Sequence, residues 1–105
     1  MAKGYLIGML DVRDADAYAP YRDQVPAIIE RHGGRYLARG GALDAVEGQA
    51  PFTRLVIVEF PSMEAVHTFY RSDEYQRIIS HRTNNAAGMV MIAEGISPPD
   101  GEGVA

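Results

Sequence analysis

Glu59 is the most chemically suggestive residue in the sequence: a lone carboxylate that closes the apolar run LVIV and opens the stretch EFPSMEAVHTFYRSDEY. Alternation along an extended segment puts Leu55, Ile57 and Glu59 on one face, and Val56, Val58 and Phe60 on the other. On the preceding strand Leu37 and Arg39 are the counterparts of the first set, which predicts a Glu59–Arg39 pair away from the helices. A guanidinium fork matches a carboxylate well, so this pair would position or deprotonate a polar substrate, or else hold the strand ends or a dimer seam in register. For Glu59 to act as a base near neutral pH, it must lose that partner or be buried enough to raise its pKa.

Phenols are the second resource. Tyr18 and Tyr21 lie three residues apart on one helix, and Tyr70 and Tyr75 flank a predicted break between two others. Each pair reads either as hydroxyls offered to a cavity or as core residues with a wet tip. His81, near the end of the last helix, is a candidate ligand-binding residue or a surface imidazole. The three histidines show no metal spacing with one another, and cysteine is absent, so no metal or thiol chemistry is expected. Arg39-Gly-Gly-Ala matches neither a phosphate loop nor a dinucleotide fingerprint and leads into no helix. The serines sit at predicted caps, on a helix or in the tail, which leaves no nucleophilic triad. No cofactor is called for.

The elements that must hold these residues follow from periodicity. Residues 3–12, KGYLIGMLDV, predict a strand with apolar residues on both faces. Asp14 can cap a helix whose stripe is Tyr18, Tyr21, Val25, Ile28 and His32, and Gly33-Gly34 ends it. Pro20 and Pro26 predict a kink or a restart near Val25. Residues 35–47 read as a second strand, with Gly40-Gly41 marking a bulge, a bend or a close approach. After a turn at 48–51, FTRLVIVEF (52–60) is the strongest strand signal. Ser62 caps a helix with the stripe Met63, Val66, Phe69 and Tyr70. Ser72-Asp73 breaks and recaps it through Tyr75, Ile78, Ile79 and Arg82, and residues 88–95 form the last strand. The order β-α-β-β-α-β is an α+β, ferredoxin-like arrangement: an antiparallel sheet with its helices on one face and the second helix broken in two. Residues 1–96 read as one domain and 97–105 as a flexible tail.

Size and charge narrow the partners. A chain of 105 residues carries a thin core, and its second sheet face is also apolar at Tyr5, Ile7, Met9, Leu55 and Ile57, so a homodimer through the sheet faces is expected. A net charge of −4 with basic residues spread along the chain argues against nucleic acid. No apolar run approaches a membrane span, and the amino terminus is a poor signal peptide, so no membrane partner and a cytoplasmic location are expected.

The segments GGRYLARGG and EFPSMEAVHTFYRSDEYQ, in this order after KGYLIGMLDV, resemble the domain-of-unknown-function family 1330 across residues 3–95. That resemblance implies a dimeric α/β barrel of two ferredoxin-like protomers packed sheet to sheet, and implies no particular activity. The wider superfamily includes cofactor-independent monooxygenases, haem-degrading enzymes, muconolactone isomerases and chlorite dismutases. The expectation is a small organic molecule bound in a sheet-side cavity, with monooxygenase- or isomerase-like chemistry. The competing expectation is a non-catalytic binding or assembly module.

Overall fold

A computed structural model of the chain describes residues 2–97, so most of the expected tail lies outside the described residues. The elements are β1 (Gly4–Val12), α1 (Ala15–Arg31), β2 (Arg35–Arg39), β3 (Arg54–Phe60), α2 (Met63–Arg71), α3 (Asp73–Thr83) and β4 (Ala86–Glu94). The four strands form one antiparallel sheet in the order β2-β3-β1-β4, the ferredoxin-like topology expected from the β-α-β-β-α-β pattern. Among the described residues no helix is long and apolar enough to cross a membrane.

The core lies between the sheet and the helices. Leu6 and Leu10 from β1 and Val58 and Phe60 from β3 meet Tyr21, Val25, Ile29, Val66, Phe69 and Tyr75. Phe69 centres an aromatic cluster, with ring centroids 5.2 Å from Phe60 and 4.5 Å from Tyr75. The opposite sheet face carries Tyr5, Ile7, Met9, Leu55 and Ile57, with Met89 and Met91 beside them on β4. In the single chain Met89 and Met91 are exposed.

Helix ends follow local chemistry. Asp14 accepts from Ala17 N (3.1 Å) and Ser62 from Ala65 N (3.1 Å). Ser72 serves two helices at once: its hydroxyl donates to the Phe69 carbonyl (2.8 Å), closing α2, and accepts from Tyr75 N (3.2 Å), opening α3. Gly33, at φ 82°, closes α1; Gly33 N bonds Glu30 O and Gly34 N bonds Ile29 O, a Schellman pair.

Two expectations need correction. α1 is continuous from Ala15 to Arg31 and does not restart near Val25. Pro26 deprives the Arg22 carbonyl of its usual i+4 donor, and Arg39 Nη2 donates to that carbonyl instead (3.2 Å). β2 stops at Arg39 rather than running to 47, and its irregularity comes at Leu37, before the glycine pair. Gly40, at φ 69°, turns the chain away, and a Cβ there would overlap the Arg54 guanidinium.

Candidate functional site

The bulge at Leu37 decides the geometry. Arg35 lies opposite Glu59 and Tyr36 opposite Val58, but Ala38 follows opposite Ile57 and Arg39 opposite Val56. One extra residue reverses the alternation, so Arg39 points to the helix side although simple counting places it on the other. The expected Glu59–Arg39 pair is therefore not formed.

Glu59 has other partners. Arg35 Nε donates to its Oε1 at 2.9 Å, and the Tyr5 hydroxyl donates to its Oε2 at 3.2 Å. Strand register explains both contacts, because Tyr5 and Arg35 flank Glu59 on the neighbouring strands. The hydrogen bond from Arg35 holds the Glu59 carboxyl below its ordinary range against the opposing effect of desolvation, with Tyr5 adding to the depression. A carboxylate so satisfied is a weak base.

Arg39 instead borders a cavity of about 40 Å³ between the sheet and the helices. Leu6, Gly8, Leu10, Val56, Val58 and Val90 form its sheet side. Gly8 opens space here: an added Cβ would come only to ordinary contact, 3.9 Å from Val56 and Val90. The polar groups are Tyr21, Tyr36, Arg39, Arg54 and Arg82, together with Arg22. The Arg39 guanidinium lies 4.7 Å over the Tyr36 ring and that of Arg82 lies 5.6 Å from the Tyr21 ring. Arg82 is buried, and the Nε atoms of Arg54 and Arg82 are buried without a hydrogen-bond partner.

The tyrosines are partly gathered here. The Tyr21 and Tyr75 hydroxyls are 2.8 Å apart, and burial pushes both phenols above their ordinary pKa, so both are neutral across the physiological range. Their shared hydrogen bond consumes one of two protons, leaving the other available. Tyr18 packs against Tyr21 in the core, at 5.6 Å between centroids. Tyr70 belongs to a separate open cleft with His67, Arg71 and Gln76. His81 lies in the last turn of α3, where its carbonyl accepts from Asn85 Nδ2 (2.9 Å), and does not border the arginine cavity. A hollow of about 180 Å³ does lie on the open side of the sheet, between Met9, Leu55 and the 40–53 loop, but Glu59 does not border it. Among the described residues no group of three or more His, Cys, Asp or Glu side chains is placed to hold a metal.

Arg54 and Arg82 were both legible and both missed. Arg54 continues the alternation of Val56, Val58 and Phe60 back along β3, a charge in an apolar register. Arg82 continues the stripe of Tyr75 and Ile78 at helical spacing, equally out of place. A cation in a core register was the available signal.

A family model described as domain of unknown function (DUF1330) matches residues 3–96. The chain belongs to the DUF1330 family. Two solved structures of a protein of unknown function from Rhodopseudomonas palustris, one of them methylated, resemble it with TM-scores of 0.73 and 0.72 at 21% and 20% identity. They cover 92% and 94% of this DUF1330 chain and 85% and 84% of their own. A putative antibiotic biosynthesis monooxygenase from Caulobacter crescentus is similar at TM-score 0.61 and 15% identity, over 89% of this chain and 87% of its own. At such identities the likeness is one of fold. No curated protein matches the sequence.

Proposed function

We propose that this DUF1330 protein binds a small organic molecule in the cavity between the sheet and helices α1 and α3. The observation that carries the reading is the lining: an apolar box with a few convergent polar groups, Tyr21, Arg39, Arg54 and Arg82. The site differs from the expected one in face and in residues, since Glu59 and its partners lie across the sheet. Arg39 keeps a place in it, as does Tyr21, with Tyr75 behind. For chemistry the lining supplies cations and the neutral phenols of Tyr21 and Tyr36 and, among the described residues, no carboxylate base. It therefore suits stabilising negative charge on a bound enolisable compound, the demand shared by cofactor-independent oxygenation and isomerisation. The likeness to a putative monooxygenase supports that direction at the level of fold alone.

A second reading has its own support. The open sheet face presents Met89 and Met91, 46% and 41% exposed, beside Ile7 and Met9. A second copy packed there would bury them, which fits an assembly role that coexists with the cavity.

Titration of isotope-labelled protein with propionate and propionamide, followed by NMR, tests the cavity reading. Shifts are expected at Gly8, Tyr21, Val56 and Val90 and should vanish in Gly8→Ala, whose methyl takes up space between Val56 and Val90 without a clash. Shifts that map elsewhere, or that survive this substitution, would overturn it.

A further inference from the structure

We infer that the cavity selects a carboxylate, taken as the counterion of Arg54 and Arg82. This rests on the cavity reading above and adds the charge and shape of the ligand.

The argument starts from what the two side chains lack. Arg82 is 8% exposed, and its Nε has no hydrogen-bond partner; the Nε of Arg54 is in the same condition. Among the described residues the ion pairs join Arg22 to Asp23, Arg31 to Glu74 and Arg35 to Glu59, and none involves Arg39, Arg54 or Arg82. Among the described residues no acid stands in the cavity wall. A guanidinium stays charged at any physiological pH, so burying it unpaired is unfavourable in a way that protonation cannot relieve. Water could satisfy an orphan N–H but could not neutralise the charge. The Tyr21 ring and the nearby Tyr21 and Tyr75 hydroxyls ease the burial of Arg82, and the Tyr36 ring lies under the exposed Arg39, but none of them provides an acceptor for the buried Nε protons of Arg54 and Arg82.

Arg39 differs from the other two. Part of its donor set is committed to the Arg22 carbonyl freed by Pro26, so its position is anchored by the backbone of α1. Arg54 is housed by the absence of a side chain at Gly40. The fold thus provides a fixed place for Arg39 and Arg54, and among the described residues no carboxylate partner for these or for Arg82.

Size narrows the anion. A water-sized probe occupies roughly 10–15 Å³ on this measure. A cavity of about 40 Å³ therefore takes a group of about three heavy atoms: the planar carboxylate of a small acid fits inside, with its alkyl end beyond the enclosed space, more readily than a tetrahedral phosphate. The spare proton of the Tyr21–Tyr75 pair offers one further donor near the same space.

The test compares propionate, propionamide and inorganic phosphate on the full chain, reading the Arg Nε–H resonances of Arg54 and Arg82 by NMR. Propionate is expected to shift both and to bind at least about tenfold more tightly than the amide, as hydrogen bonds to ionised groups exceed neutral ones. Arg82→Met should abolish that preference without lowering the thermal midpoint, whereas Gly8→Ala should abolish binding of both probes. Equal binding of acid and amide within the cavity would overturn the carboxylate assignment and leave the cavity reading standing. Phosphate binding more tightly than propionate would also overturn it. A fall in midpoint for Arg82→Met with the acid preference intact would make that arginine structural and sink the proposal. Cavity resonances unmoved by any probe would sink both readings.

Discussion

On the open face of the sheet, Arg35 meets Glu59 at 2.9 Å and Tyr5 completes the carboxylate's bonding. On the helix face, Arg39, Arg54 and Arg82 border one cavity and have no carboxylate partner among the described residues. The first arrangement is self-sufficient: partners sit opposite one another in register, and the Arg35 side chain is 73% exposed to solvent. The second has no such partner: Arg82 is buried, Arg54 half-buried and Arg39 exposed, and none of them is ion-paired among the described residues. Paired charges at an edge hold a structure together with little at stake. An unpaired charge inside a core, as at Arg82, destabilises the free protein, and it marks a binding site more reliably than an isolated carboxylate in an apolar strand.

The sharpest way to break this contrast is Arg82→Met. If the helix-face cations are retained for a ligand, the apolar isostere should raise the stability of the free protein by about 1–4 kcal/mol, read from denaturant midpoints. A loss of stability would put Arg82 in the same class as Arg35. Tyr21→Phe should cost about 1–2 kcal/mol at neutral pH, because it removes the hydroxyl bonded to buried Tyr75. That variant should also differ at alkaline pH. Burial raises the Tyr21 pKa, so the unfolded chain releases its proton near pH 10 while the folded chain holds on. Stability is therefore fully present below about pH 10 and falls as pH rises beyond it, and the fall should be shallower in Tyr21→Phe.

Gly8→Ala sits in the middle of the scale. Its effect on stability should stay within about 1 kcal/mol, since the new methyl meets only ordinary contacts and reduces the freedom of the unfolded chain. A large loss would show that the cavity is tighter than the geometry indicates. On the open face, Glu59→Gln should have the smallest effect at neutral pH. The folded Glu59 carboxyl ionises below its ordinary value of 4.5, so its contribution is full above that value and is lost as pH falls through the folded pKa. Acid unfolding should therefore be less pH-dependent in Glu59→Gln, and binding of propionate unchanged. Loss of propionate binding in this variant would mean that the two faces are not independent. Ile7→Asp tests the other property of that face: it should return any dimer to monomer in sedimentation while leaving the NMR shifts at Gly8 and Val56 in place.

Much of the fold was legible because it depends on neighbours in the chain. The caps at Asp14, Ser62 and Ser72, the stop at Gly33, and the strand at Arg54–Phe60 each follow from residues within a few positions. The continuity of α1 was not legible. The donor that stands in for the missing Pro26 N–H comes from Arg39 on another element.

The site divides along the same line. By itself the sequence determined the strand-helix order, an apolar sheet with a carboxylate at the end of its third strand, and the hydroxyl and guanidinium groups available to a cavity. Only the tertiary structure decided which of them meet. A single bulged residue, Leu37, turned Arg39 from one face to the other and gave Glu59 to Arg35 instead. Alternation is a count from one residue to the next, so one extra residue reverses every assignment beyond it, and strand pairing reveals where that residue sits.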